Sequence, residues 1–194
     1  MKVLISGATG LIGTSLVKAL QQSGHNAIVL SRSSERARHL TSEVYQWQPQ
    51  TELVAANALQ DVDAVVHLVG EHIAARRWNE GHKREIRDSR ILSTRNLVSS
   101  FEAASIKPHI FVCASAIGFY GNRGDEILDE SSAQGNTFLS EICAEWEAEA
   151  DRATTLGIRT VNLRIGVVLS AKGGALEQML TPFRYGVAGR LGSG

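Results

Sequence analysis

Two stretches of the 194-residue sequence carry residue types at spacings that suit chemistry. In the first, Gly7, Gly10 and Gly13 are spaced three apart, directly after the apolar run Val3, Leu4 and Ile5 and directly before a helical pattern. Glycines in such a turn let the main chain close on a ligand, and the amides and dipole of the helix start favour a phosphate. The second stretch runs from Ser115 to Gly121 and sets the Ser115 hydroxyl and the Tyr120 phenol beside Gly118 and Gly121, after the apolar run Ile110 to Ala114. An exposed loop at the carboxyl end of a buried strand is a site for chemistry, because ligands of open α/β sheets bind at that edge.

The remaining pattern supplies elements to hold these stretches. Leu11 to Ser23 reads as a helix with Ile12, Leu16, Ala19 and Leu20 on one face and Gly24 as its cap. Ala27 to Leu30 is the next strand, completing a right-handed βαβ unit. That strand ends in Ser31, Arg32 and Ser33, where a NAD site of this architecture carries an acidic residue for the ribose 2′-hydroxyl. A guanidinium beside small hydroxyls suits a 2′-phosphate instead, so NADP is preferred to NAD; the alternative is that Arg32 is one of several exposed arginines with Arg36 and Arg38.

Further along, Glu43 to Trp47 reads as a short strand, Thr51 to Leu59 as a short helix, and Ala64 to Val69 as a strand buried on both faces. The stretch His72 to Lys83 is dense in basic and aromatic residues and leads into a helix ending near Ala104, with Ile91, Thr94, Val98 and Phe101 on one face. It reads equally as a loop for an anionic or planar ligand and as a solvated helix start anchored by Trp78. A helix from Phe138 to Leu156, a strand from Arg159 to Ile165, a Gly-rich segment and a helix from Leu176 to Tyr185, interrupted near Pro182, complete the alternation. The result is an α/β chain with a doubly wound parallel sheet, expected as one domain over residues 1–194.

Composition narrows the function classes. Lys and Arg number 20 against 20 Asp and Glu, so overall charge gives no support to nucleic-acid or membrane-surface binding. No apolar run is long enough to span a bilayer and no leader pattern precedes the first strand, which points to a cytosolic protein. The two cysteines, Cys113 and Cys143, lack the spacing of a metal site or redox pair and read as buried small apolar residues. No metal is expected.

Taken together, GATGLIG (Gly7 to Gly13), HLVGEHIAARRW (His67 to Trp78), KREIRDSRI (Lys83 to Ile91), SAIGFYG (Ser115 to Gly121), WEAEA (Trp146 to Ala150) and RIGVVLS (Arg164 to Ser170) resemble the extended short-chain dehydrogenase/reductase superfamily. The resemblance is to its atypical, nucleoside-diphosphate-sugar-epimerase-like branch, some members of which bear a cell-division-inhibitor label. It implies a Rossmann-type sheet with helices on both faces and a dinucleotide cofactor. Gly7, Thr9, Gly10, Leu11, Ile12 and Gly13 would then hold the pyrophosphate, and Ser31 and Arg32 the 2′-phosphate. Leu68, Val69 and Gly70 would line the adenosine and ribose side, Ala114 and Ser115 would face the nicotinamide, and Gly166 and Val167 would close its pocket.

One departure from the family pattern bears on catalysis. Active members use a tyrosine and a lysine four residues apart on a helix, and here Phe138 and Ile142 stand in that turn. Neither side chain exchanges a proton. The candidates left are Tyr120, Lys83 or His72, and Glu141 or Glu145, with Ser115 to hydrogen-bond the reacting oxygen. The expected function is an NADP-dependent oxidoreductase or epimerase acting on a small hydroxyl or carbonyl compound or a nucleotide-linked one; the alternative is a non-catalytic NADP-binding sensor or scaffold. Relatives continue past the Leu-Gly-Ser-Gly at 191 to 194, so the chain is expected to lack most of a C-terminal substrate-binding region. The substrate and homo-oligomerisation are left open.

Overall fold

A computed structural model describes residues 1–187 and 189; the Gly-rich terminus read above at 191–194 lies outside the described residues. Six strands form one sheet: β1 (Lys2–Ser6), β2 (Asn26–Ser31), β3 (Val44–Gln46), β4 (Ala64–His67), β5 (Ile110–Ala116) and β6 (Arg159–Ile165). Their order is β3-β2-β1-β4-β5-β6, and the registered pairs among β1 to β5 are parallel. Strand order reverses between β1 and β4, the switch point outside which such sheets open a crevice at the carboxyl ends of their strands. Both of the stretches singled out above end at that edge.

The central strands are apolar because both of their faces are covered. Leu4, Ile5, Val29 and Val65 are fully buried, and Phe111 meets Phe101 of the crossover helix edge-on at 5.3 Å. Helices α1 (Leu11–Gln22), α2 (Ser34–Ala37), α3 (Glu80–Ala103) and α4 (Phe138–Asp151) connect the strands. Ile91, Thr94, Val98 and Phe101 of α3 are buried as their spacing predicts. Cys113 and Cys143 are buried free thiols, and burial pushes both up in pKa.

Several sequence expectations change. The buried face of α1 is Gly13 and Val17 with Leu16 and Leu20 packed alongside, whereas Ile12 and Ala19 are exposed. The glycine turn sets that rotation by pressing Gly13 against the turn itself. Only a single 3-10 turn, Ala56–Ala58, forms where a helix over 51–59 was expected. β4 stops at His67, two residues early, and α3 begins at Glu80, so His82 and Lys83 are helical. Asn79 caps that helix by accepting the His82 amide at 2.8 Å. The Ser115 stretch is not an exposed loop: Ser115 and Ala116 still belong to β5, Ser115 is buried, and residues 117–120 form a 3-10 turn with Tyr120 buried.

The chain divides into two compact units, Met1–Arg164 and a second from Ile165 onward. In the second, α5 (Ala175–Arg184) contains Pro182 in its last turn, where the missing amide costs one intrahelical bond.

Candidate functional site

β1 delivers the chain to Gly7, whose φ of 76° is a conformation that only glycine adopts cheaply. A Cβ there would lie 2.7 Å from the carbonyl of Leu68, and one on Gly13 would lie 2.4 Å from the carbonyl oxygen of Gly7. Both glycines are therefore demanded by contact; Gly10, with a nearest atom at 3.3 Å, is less constrained. Gly10 takes the N-cap position of α1 and supplies no side-chain cap, so the amides of Leu11, Ile12 and Gly13 open the helix unsatisfied by a cap side chain. A 12-residue helix with such a start favours an anion.

A cavity of about 410 Å³ opens beside this turn. Of the residues expected to hold a dinucleotide, Gly7, Thr9, Gly10, Ser31, Arg32, Leu68, Val69 and Gly70 line it. Arg32 is exposed and, among the described residues, forms no ion pair. The Ser31 hydroxyl donates to the Ser33 carbonyl at 2.8 Å and so shapes the turn that presents Arg32. Leu11, Ile12 and Gly13 follow the turn without lining the cavity. Ala114 and Ser115 lie buried at the end of β5, outside its lining, and Gly166 and Val167 are exposed residues of the second compact unit.

Sequence reasoning missed part of this wall. Arg36, one turn beyond Arg32, lines the cavity, as do Trp47 to Thr51 after β3 and Glu71 with Ser89 at the far side. The rule that ligands gather at strand carboxyl ends, applied to β3, would have found the Trp47 segment. Ser89 gives no sequence signal, because it reaches the cavity from the body of α3.

Beneath the turn lies a buried relay. Ser6 Oγ is 2.6 Å from His67 Nδ1, and His67 Nε2 is 3.1 Å from Ser93 Oγ. Ser93 spends its one proton on the Ser89 carbonyl at 2.6 Å, so it accepts from His67 Nε2–H and leaves Nδ1 to accept from Ser6. Burial lowers the His67 pKa to about 3, keeping the imidazole neutral. The relay ties the last residue of β1 to β4 and α3, directly under Gly7.

The catalytic candidates divide sharply. Ser115 Oγ donates to Glu147 Oε1 at 2.5 Å, and Arg164 grips the same carboxylate through Nε at 2.9 Å and Nη2 at 2.8 Å. Arg164 Nη1 also donates to the Tyr120 hydroxyl at 2.9 Å, while its guanidinium lies 3.5 Å from the centroid of the Phe119 ring. Hydrogen bonding to Glu147 raises the Arg164 pKa above its ordinary value. Ser115 and Tyr120 thus meet through Glu147 and Arg164, two residues that charge and spacing alone did not single out. Their fixed alignment on α4 and β6 is visible only in three dimensions.

The other candidates are dispersed. His72 and Glu141 are exposed, and Glu145 pairs with Arg87. Lys83 pairs with Glu80 at 2.9 Å and lies 5.6 Å over the Phe138 ring, which meets Trp78 edge-on at 5.6 Å. Phe138 is thereby occupied in packing, and Ile142 is buried. No proton-transfer pair arises on that turn.

Comparison with known proteins places this geometry. The profile of the NAD dependent epimerase/dehydratase family matches residues 3–187. An epimerase family protein of Mycobacterium bovis is 40% identical over 192 residues, covering 99% of this chain and 62% of that protein. Human epimerase family protein SDR39U1 is 36% identical over 197 residues, covering 100% of this chain and 64% of its own. A crystal structure of the human protein (isoform 2) with NADPH superposes with a TM-score of 0.83 at 34% identity, covering 100% of this chain and 63% of that one. A structure described as the nucleoside-diphosphate sugar epimerase of Corynebacterium glutamicum gives 0.81 at 36% identity, covering 100% of this chain and 39% of that one. The chain therefore spans less than two thirds of the length of these relatives. Among the described residues, no helix is long and apolar enough to cross a membrane.

Proposed function

The chain belongs to the NAD-dependent epimerase/dehydratase family, and from that premise we propose that it binds NADP(H) at the carboxyl edge of its sheet and acts as an oxidoreductase or epimerase. Its substrate would be a small hydroxyl or carbonyl compound, free or nucleotide-linked. The observation that carries the cofactor choice is the exposed Arg32 at the end of β2, with Arg36 on the same cavity wall. Two guanidiniums and no acidic side chain among those lining this part of the cavity favour a 2′-phosphate over a free 2′-hydroxyl. The NADPH in the human relative's structure supports the same choice.

The residues present fit such a cofactor. Gly7, Thr9 and Gly10 with the amides of Leu11, Ile12 and Gly13 would take the pyrophosphate, and Ser31 and Arg32 the 2′-phosphate. Leu68, Val69 and Gly70 would line the adenosine and ribose, and Ala114 and Ser115 would face the nicotinamide. The bound nicotinamide would supply hydride transfer. Ser115, whose one proton goes to Glu147, would hydrogen-bond the reacting oxygen by accepting from a substrate hydroxyl, and Tyr120 would be the nearby phenol held by Arg164.

Phe138 and Ile142 favour a second reading, a protein that binds NADP(H) as a sensor or scaffold without turnover. We propose that residues 1–194 form the cofactor side, a stretch that covers less than two thirds of the length of these relatives. A cytosolic location belongs to the same proposal, although the plant relative is described as chloroplastic.

Titration with NADPH and NADH, followed by nicotinamide fluorescence, tests the cofactor. NADPH should bind at least about tenfold more tightly, as one charge-assisted contact implies. Equal affinities would sink the assignment. Oxidation of bound NADPH by any member of a panel of small aldehydes, ketones and nucleotide-linked sugars of the keto form would separate the enzyme from the sensor.

A further inference from the structure

Arg90 lies on α3 with its side chain against Gly70 and Glu71, in the segment that follows β4. Its Nη1 donates to the Ile86 carbonyl at 2.9 Å and its Nη2 to the Glu71 carbonyl at 3.0 Å. The guanidinium is 5.3 Å from the centroid of the Trp146 ring. It crowds Gly70 so closely that a Cβ there would come within 3.1 Å of its Cζ and Nη2. Among the described residues it is the half-buried arginine that has no carboxylate within 4.0 Å; the others without one are exposed.

A guanidinium bonded only to neutral oxygens and withdrawn from water is costly unless an anion offsets it. Burial accordingly pushes Arg90 below its ordinary pKa, with only partial relief from Cys143 and Glu71. Its surroundings show where an anion would come from. On one side stand Gly70, Glu71 and Ser89, which line the cavity. On the other stand Trp146 and Cys143 of α4, the helix that carries Glu147 to Ser115. Arg90 thus touches three residues of the cavity wall, Gly70, Glu71 and Ser89, and on its other side the α4 helix that carries Glu147.

We propose that Arg90 receives an oxyanion group of the ligand that fills this cleft, phosphate or carboxylate in chemistry. Two sources present that chemistry: the diphosphate of the dinucleotide, which rests on the cofactor reading above, and an anionic group on the second ligand. In either case a Cβ on Gly70 would press on the guanidinium at 3.1 Å, so the bare glycine lets Arg90 pack against the segment that lines the cavity. The Ser89 hydroxyl, accepting the Glu71 amide at 2.9 Å, holds the loop in place while Arg90 holds its carbonyl.

The test compares the chain with Arg90→Met, Arg90→Gln and Arg90→Lys by three readouts. These are NADPH affinity by fluorescence, calorimetric binding of malonate and inorganic phosphate to the NADPH-saturated protein, and thermal midpoint. Loss of NADPH affinity by about tenfold or more in Arg90→Met, largely restored in Arg90→Lys, assigns the dinucleotide diphosphate. Unchanged NADPH affinity with loss of malonate or phosphate binding assigns the second ligand. In both cases Arg90→Met should leave the midpoint unchanged or raise it, since it removes a cation without a counter-charge. Unchanged affinities for all three ligands overturn the proposal, as does a lowered midpoint with Arg90→Lys no better than Arg90→Met in binding; the guanidinium is then only a brace for the Glu71 carbonyl. Should Arg90→Met fail to fold, Arg90→Gln keeps a donor for that carbonyl, removes the charge and decides by the same readouts. If the unaltered chain binds no NADPH, the cofactor reading fails by itself, and malonate and phosphate titrations of the free protein still decide Arg90.

Discussion

The Ser115 hydroxyl donates to the Glu147 carboxylate at 2.5 Å, across the gap between β5 and α4. Ser115 is thereby held in one rotamer by a carboxylate that is itself clamped through two hydrogen bonds from Arg164. The fold commits an ion pair to orienting one hydroxyl at the carboxyl edge of the sheet. Replacing either charge leaves the other half-buried and unmatched, which is the expensive change for such a pair. Glu147→Gln should therefore lower unfolding stability by about 2–3 kcal/mol, and Arg164→Met by a comparable amount. The double variant should cost less than the sum of the two, with a coupling of about 1 kcal/mol or more by urea denaturation. Additive losses would mean that the pair is not a unit.

Arg32→Ala tests the cofactor preference at its source. Because Arg32 is exposed and, among the described residues, forms no ion pair, its removal should leave the thermal midpoint nearly unchanged. NADPH affinity should fall by about ten- to a hundredfold and NADH affinity by less than about twofold, since one charge-assisted fork is lost from the 2′-phosphate alone. Equal losses for the two nucleotides, or none, would remove Arg32 from the site and leave Arg36 as the candidate.

The glycine turn makes a steric prediction. A Cβ on Gly13 would be 2.4 Å from the Gly7 carbonyl oxygen and 2.5 Å from the Ala8 Cα, both main-chain atoms that cannot swing aside. Gly13→Ala must displace either the turn or the start of α1. It should cost about 2 kcal/mol or more in stability and abolish measurable NADPH binding. Gly24→Ala is the control: its φ of 74° makes alanine costly in backbone terms, yet nothing lies within 4 Å of the added Cβ, so NADPH affinity should persist. Retention of tight binding by Gly13→Ala would refute the role given to the turn.

How far the sequence carried this picture depended on which signals are local. The strands, the glycine turn and β6 from Arg159 to Ile165 follow from apolar runs and breakers, which local sterics and two-face burial dictate. Thr51 to Leu59 misled because its apolar spacing was satisfied by packing Val54, Ala58 and Leu59 without continuous helix, a tertiary choice that periodicity does not encode. Ser115 was found by type, but its burial within β5 was not, since a Ser-Ala-Ile-Gly string carries turn and strand signals alike. Glu147 and Arg164 stand out in the sequence only as members of the WEAEA and RIGVVLS blocks, and it is the fold that brings them within 2.8 Å. Arg90 was legible only as part of a family block. That it has no carboxylate partner among the described residues is a property of the space around it.

His67 yields the pH dependence. Its folded pKa is lowered by burial to about 3 from 6.5, so between those values the unfolded chain binds a proton that the folded one does not. The sign follows: stability from the neutral imidazole is fully present above pH 6.5 and is lost as pH falls toward 3. Each pH unit in that window should remove up to about 1.4 kcal/mol per proton from the unfolding free energy. His67→Gln keeps an amide donor and acceptor for Ser93 and Ser6 but does not titrate, so its stability should fall less steeply between pH 6.5 and 4.5 than that of the unaltered chain. The absolute stability of the variant should be lower at pH 7.5, because glutamine fills the space of the ring less well beside Trp47, which meets His67 at 6.3 Å. Guanidinium unfolding of both proteins across that range measures the two slopes. Parallel curves would show that His67 does not set the acid sensitivity, and that the carboxylates, such as Glu149 held below its ordinary pKa by Arg95 and Arg152 against the opposing effect of burial, carry it instead.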